Sequence, residues 1–123
     1  MDEGAFKTWL DAYGHAWETR DPEAAATLFT REATYHETPF DEPARGHAKI
    51  LEYWSEGARS QEDIHFSYET LAVTKNEGIA RWRANFRRVS SKAQVKLDGI
   101  FLVKLNTDGL CTEFREWWHR REE

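Results

Sequence analysis

One cysteine, one methionine and three prolines stand among the 123 residues. A lone thiol, Cys111, excludes an internal disulfide and any multi-cysteine metal site, and it suits a reducing compartment. The five histidines form no His-x-His or His-x-x-x-His pair, so no metal site is expected. A Gly-rich phosphate loop, a nucleophile elbow and a dinucleotide fingerprint are all missing, and no cofactor is expected. Positive charge is also short: the formal net charge is −5, which argues against nucleic acid or an anionic membrane as partner. No apolar run is long enough to span a bilayer. The start, MDEGAFKTWL, is acidic and lacks the charged-then-apolar layout of a signal peptide, so a cytoplasmic protein is expected.

What the chain has in excess is aromatic surface. Rings make up 14% of the residues, with six tryptophans. In one domain of this length, spanning residues 1–123, so many large rings either fill a thick core or line a ligand cavity. The balance of 40% hydrophobic to 32% charged residues is that of a folded domain.

Phe6, Trp9, Leu10, Tyr13, Ala16 and Trp17 recur at helical spacing and predict a helix over residues 3–19. Asp21 is a good N-cap and Pro22 suits the first helical position, so a second helix starts there and is expected to end near Thr30. Thr34 and Tyr35 favour a strand over residues 33–37. Pro39 and Pro43 bracket Asp41 and Glu42 in an irregular loop that Gly46 closes. Ile50, Leu51, Trp54 and Ala58 mark a third helix. After Ala58 the period changes to two. Strands are predicted over residues 64–74, 79–89, 94–105 and 110–121, joined by Lys75-Asn76-Glu77-Gly78, Ser90-Ser91-Lys92 and Asn106-Thr107-Asp108-Gly109. In the second of these, Ala80, Trp82, Ala84 and Phe86 alternate with Arg81, Arg83, Asn85 and Arg87, as in a half-buried antiparallel strand. The sum is an α+β domain, with helices on one face of a curved, mostly antiparallel sheet.

Asp21-Pro22, Leu28-Phe29 followed by Ala33-Thr34, Arg45-Gly46-His47 before the third helix, and Glu116-Trp117-Trp118 near the end resemble the nuclear transport factor 2-like superfamily. The likeness is strongest to its SnoaL-like and ketosteroid isomerase-like members. It covers nearly the whole chain. It implies a cone of three N-terminal helices over the concave sheet face, an apolar cavity between them, and a homodimer through the opposite face. Ile100, Leu102 and Trp117 fall on that opposite face. The isomerase pattern places its catalytic tyrosine eight residues before the aspartate of the second helix, where Tyr13 stands. Its base falls just after the Ala-Thr of the first strand, where Glu37 stands with His36 beside it. Phe101 occupies the place of the second oxyanion acid, and Asp98 stands three residues away.

Glu37 is therefore the candidate base, Tyr13 the candidate oxyanion donor and His36 an alternative acid–base group. If Glu37 points inward, alternation turns His36 outward. Trp82, Phe86, Phe101 and Trp118, with Trp54 from the third helix, are the expected cavity wall. Asp98 and Glu116 are candidate ligand-binding carboxylates, with ion pairing to the strand arginines as the competing role. Glu69 and Glu113 are expected to answer the arginine row across strands. Two functions stand side by side at this point. One is a cofactor-free isomerase, cyclase or dehydratase acting on an apolar carbonyl compound. The other is a non-catalytic ligand-binding or dimerisation module.

Overall fold

The structure, a computed structural model, describes residues 1–123. Helix α1 spans Glu3–Glu18; its N-cap Asp2 accepts a hydrogen bond from the Ala5 amide at 2.7 Å. Phe6, Trp9, Leu10 and Tyr13 turn into the core along its inner stripe. Phe6 and Leu10 have no exposed surface, which contributes about 1.5–3 kcal/mol for each side chain. Gly14 lets α1 approach the sheet closely, because a Cβ there would stand 2.5 Å from the Phe66 ring. Helix α2 is short, Pro22–Ala26, with Asp21 capping the Ala24 amide at 3.1 Å and Pro22 in its first turn.

Strand β1 (Phe29–His36) and the two-residue β2 (Ala44–Arg45) precede helix α3 (Gly46–Ser60). Four long strands follow: β3 (Gln61–Val73), β4 (Glu77–Arg88), β5 (Gln94–Leu105) and β6 (Cys111–Glu122). They form one open sheet in the order β2-β1-β6-β5-β4-β3. Every pairing is antiparallel except β1 with β6, so the sheet is mixed. The helices cover one face of it, where Trp9, Tyr13, Tyr35, Phe101 and Phe114 make a contiguous aromatic core.

The α+β class and the mostly antiparallel sheet agree with the periodicity. The three helices are present, but they are not an N-terminal block, since two strands separate α2 from α3. The second helix stops at Ala26, and Phe29 and Thr30 belong to a strand instead of a helix end. The reason is long-range: the Cys111 amide donates to the Leu28 carbonyl at 2.8 Å, and Phe29 pairs with Cys111 in the parallel ladder. Strand β2 lies inside the stretch expected to be irregular, held by pairing of Ala44 with Tyr35.

Candidate functional site

Between the helices and the sheet lies a cavity of about 560 Å³, within the range of small-molecule sites. Val95 and Leu97 of β5 and Glu116, Trp118 and Arg120 of β6 build its sheet wall. The register pairs Phe101 with Glu116, Gly99 with Trp118, Leu97 with Arg120, and Val95 with Glu122. Trp82 on β4 lies opposite Gly99, and Phe86 opposite Val95. Gly99 is the residue that makes room. A Cβ there would stand 2.9 Å from Trp82 Nε1 and 2.0 Å from the Trp117 carbonyl oxygen.

At the deep end sits Glu116, 7% exposed and the one buried charged residue in the chain. No side-chain hydrogen bond or cation offsets its burial. Burial pushes its carboxyl well above the ordinary carboxylate range, and the nearby charge of Glu37 adds to the rise. Tyr13 from α1 and Tyr35 from β1 lie beside it, their hydroxyls 3.1 Å apart. Burial and then the Glu116 charge raise both phenols well above their usual values. Tyr35 stacks on Phe114 at 4.4 Å and Tyr13 on the same ring at 5.5 Å, which fixes both rings. Tyr53 on α3 keeps part of its ring in water but turns its hydroxyl inward, where burial, Glu116 and Glu37 raise its pKa in the same way.

Glu37 stands just beyond the last residue of β1, half-buried, and lines the same cavity as Trp82 and Glu116. Its position is held from β6: the Trp118 indole N–H donates to the Glu37 carbonyl oxygen at 3.2 Å. Trp54, Trp82, Phe86 and Trp118 all line the cavity, as do Tyr13 and Glu37. The buried indole N–H groups of Trp54 and Trp82 have no partner in the protein.

Three of the expected site residues lie elsewhere. His36 pairs in register with Arg115 on the outer face; burial and the neighbouring Arg115 lower its pKa. Asp98 also faces outward, because β5 runs through Gly99 in regular register with both neighbouring strands and no bulge turns it. There it accepts two hydrogen bonds from Arg81, at 3.1 and 2.7 Å, and these hold its carboxyl below the usual range. Phe101 is wholly buried behind Trp82 and Tyr13, at ring distances of 4.8 and 5.2 Å, and does not reach the cavity. Conversely, Glu116 forms no pair with Arg81, Arg83 or Arg87, since these project from the opposite face of the sheet, and Arg88 and Arg120 on its own face turn to Glu122 instead. The arginine row finds Glu69, Asp98 and Glu62, while Glu113 goes to Lys104 and Arg115. Tyr35 and Tyr53 also line the cavity, and local sequence pattern does not single them out as site residues. The inward phase of Tyr35 relative to Ala33 was the available signal for the first.

The sequence model of the SnoaL-like domain matches residues 10–114. The chain belongs to that family. Among solved structures, this SnoaL-like chain is similar to SalBIII, an epoxide hydrolase/cyclase-like enzyme described in pyran ring formation in polyether salinomycin. The TM-score is 0.84 at 18% identity, over 96% of this chain and 93% of that one. It is also similar to the Delta 5-3-ketosteroid isomerase from Mycobacterium sp., with a TM-score of 0.80 at 14% identity over 97% and 98% of the two chains. A computationally designed 17-OHP binder gives 0.82 at 15% identity over 95% and 96%. These likenesses are of fold. No curated protein matches the sequence. The family's isomerase-like fold supplies a ligand-sized cavity, and the chemistry in it belongs to the side chains just described.

Proposed function

We propose that the cavity is the active site of a cofactor-independent acid–base catalyst, an isomerase or cyclase acting on an apolar carbonyl compound. The observation that carries this reading is Glu116. It is a buried carboxyl with no cation and no hydrogen-bonding partner, in a cavity shared with the half-buried Glu37. Two carboxyl groups whose surroundings differ this much divide the roles of acid and base between them.

In the forward step Glu37 takes a proton from the carbon next to the carbonyl. The electron pair of that C–H bond moves to the carbonyl oxygen and gives an enolate. Glu116, in its protonated form, and the free hydroxyl of the Tyr13–Tyr35 pair donate hydrogen bonds to that oxygen. Glu37 then returns the proton to another carbon, which completes an isomerisation and restores the enzyme. In the cyclising variant Glu37 takes the proton of a hydroxyl whose oxygen bonds to an electrophilic carbon, the bond from that carbon to its leaving oxygen breaks, and Glu116 protonates that oxygen; proton exchange with solvent then returns both carboxyls to their starting forms. The rings of Trp82 and Trp54 limit the water that reaches the deep end of the cavity.

The test is a pH–rate profile with an enolisable apolar ketone, a ketosteroid being a suitable first substrate. Activity should fall on the alkaline side as Glu116 loses its proton, and Glu116→Gln should remove that limb. Tight binding without any turnover across a panel of such ketones would leave a ligand-binding module in place of an enzyme.

A further inference from the structure

The outer end of the cavity differs chemically from the deep end. Arg20, Arg88 and Arg120 line it. Arg120 follows Glu116 by four residues on the same face of β6, which separates them by about 13 Å at the usual strand rise. Between them lie Trp118, Gly99 and Leu97, an apolar interval.

The three guanidinium groups are not equally engaged. Arg88 is held by Glu122 through hydrogen bonds of 2.9 and 3.1 Å. That carboxylate is thereby used, and Arg120 has only a 3.9 Å approach to it. Arg20 has no carboxylate partner. Its Nε donates to the Ala58 carbonyl at 2.8 Å, which ties the guanidinium to the last turns of α3. Arg20 also adopts a φ of 57°, rare for a residue with a side chain, at the bend that closes α1. Carboxylates share this end: Asp21 caps α2, Glu52 is 3.5 Å from Lys49, Glu122 holds Arg88, and Glu56 has no ion-pair partner. Arg20 and Arg120 are the guanidinium groups here that no carboxylate engages by a hydrogen bond.

We infer that the ligand is an amphipathic acid: an apolar carbonyl compound whose far end carries a carboxylate, received by Arg120 and Arg20. This rests on the reading of the deep end as the carbonyl-binding end. A planar fork of N–H donors matches a carboxylate in a way that a point charge does not. The protein's own net charge of −5 makes the site selective: an anion gains here and is repelled elsewhere.

The experiment compares two probes by quenching of tryptophan fluorescence. One is an oxosteroid carboxylate with its ketone and carboxylate at opposite ends of the ring system. The other is the methyl ester of the same compound. The acid should bind about tenfold more tightly than the ester at low salt. Raising the salt concentration should narrow that ratio. Arg120→Gln should narrow it too, and Arg120→Gln with Arg20→Gln should bring the acid down to the affinity of the ester. An ester that binds as well as the acid overturns the inference while leaving the catalytic reading of Glu37 and Glu116 intact. A preference for the acid that survives the double substitution also overturns it. Failure of both probes to bind overturns the inference together with the carbonyl-site reading on which it rests.

Discussion

The hydroxyls of Tyr13 on α1 and Tyr35 on β1 lie 3.1 Å apart in the buried end of the cavity. In such a pair one hydroxyl donates to the other, and the accepting one keeps its own proton free for a ligand oxygen. The contact joins the helical layer to the sheet exactly where the proposed chemistry occurs. Tyr13→Phe leaves the Tyr35 hydroxyl buried and unpaired, and should cost about 1–3 kcal/mol of stability. The converse change should cost a similar amount. The double variant should cost clearly less than the sum of the two, which a urea-unfolding cycle measures directly.

Glu116 makes stability depend on pH in a defined direction. Its carboxyl holds a proton more tightly in the folded chain than its ordinary value of 4.5. The folded state therefore binds more protons than the unfolded one above that value, and stability falls as pH rises toward the folded-state pKa. Glu116→Gln has no proton to lose. It should match the wild type at about pH 4 and be more stable by about 1–3 kcal/mol at about pH 8. Equal unfolding midpoints at the alkaline end would show that Glu116 is solvated and not a desolvated acid.

The wall beside Trp82 leaves no slack. A methyl group at position 99 would press on the Trp117 carbonyl and on Trp82 Nε1. Gly99→Ala should cost about 1–3 kcal/mol and displace the Trp82 indole, with a shift of the tryptophan emission as the local sign of it.

Much of this architecture was legible in local pattern. The stripe from Phe6 to Trp17 specified α1, and the alternation of Ala80, Trp82, Ala84 and Phe86 with three arginines specified both β4 and its inner face. The same alternation fixes Glu37 and His36 on opposite sides. What local pattern missed depends on distant partners. Phe29 is a strand residue only because Cys111 pairs with it from the other end of the chain. Asp98 and Glu116 looked alike in sequence, two carboxylates among apolar strand residues. One faces Arg81 and the other faces the cavity, and this difference in phase sets one pKa down and the other up. Aromatic type placed Phe101 among the cavity residues, but depth of burial decides that role, and Tyr13 and Trp82 stand in front of it.

The outer face carries a patch with no cover of its own. Ile79 pairs with Leu102 and Ile100 with Trp117, the last 45% exposed. We propose that a second copy of the chain covers it. Light scattering at tens of micromolar should give the mass of a dimer, and Trp117→Lys should give that of a monomer with its helical and strand content unchanged. A monomeric wild type would reject this assembly.

The Trp118 indole N–H donates to the Glu37 carbonyl oxygen and so fixes the backbone that carries the proposed base. Trp118→Phe keeps an apolar ring but loses the N–H. It should lower kcat about tenfold or more while leaving KM nearly unchanged, because the base is misplaced and the pocket is not. A variant that loses affinity in proportion to rate would assign Trp118 to ligand contact alone.

Proton transfer by Glu37 inside this cavity can be followed apart from every other step. Deuterium exchange at the carbon next to the ketone of a bound ketosteroid, followed by NMR in heavy water, measures that step alone. Wild-type protein should accelerate the exchange, and Glu37→Gln should lose about 10²–10⁴-fold of that acceleration while still quenching its tryptophan fluorescence with the same ligand. Exchange that proceeds as fast in Glu37→Gln as in the wild type would contradict the account.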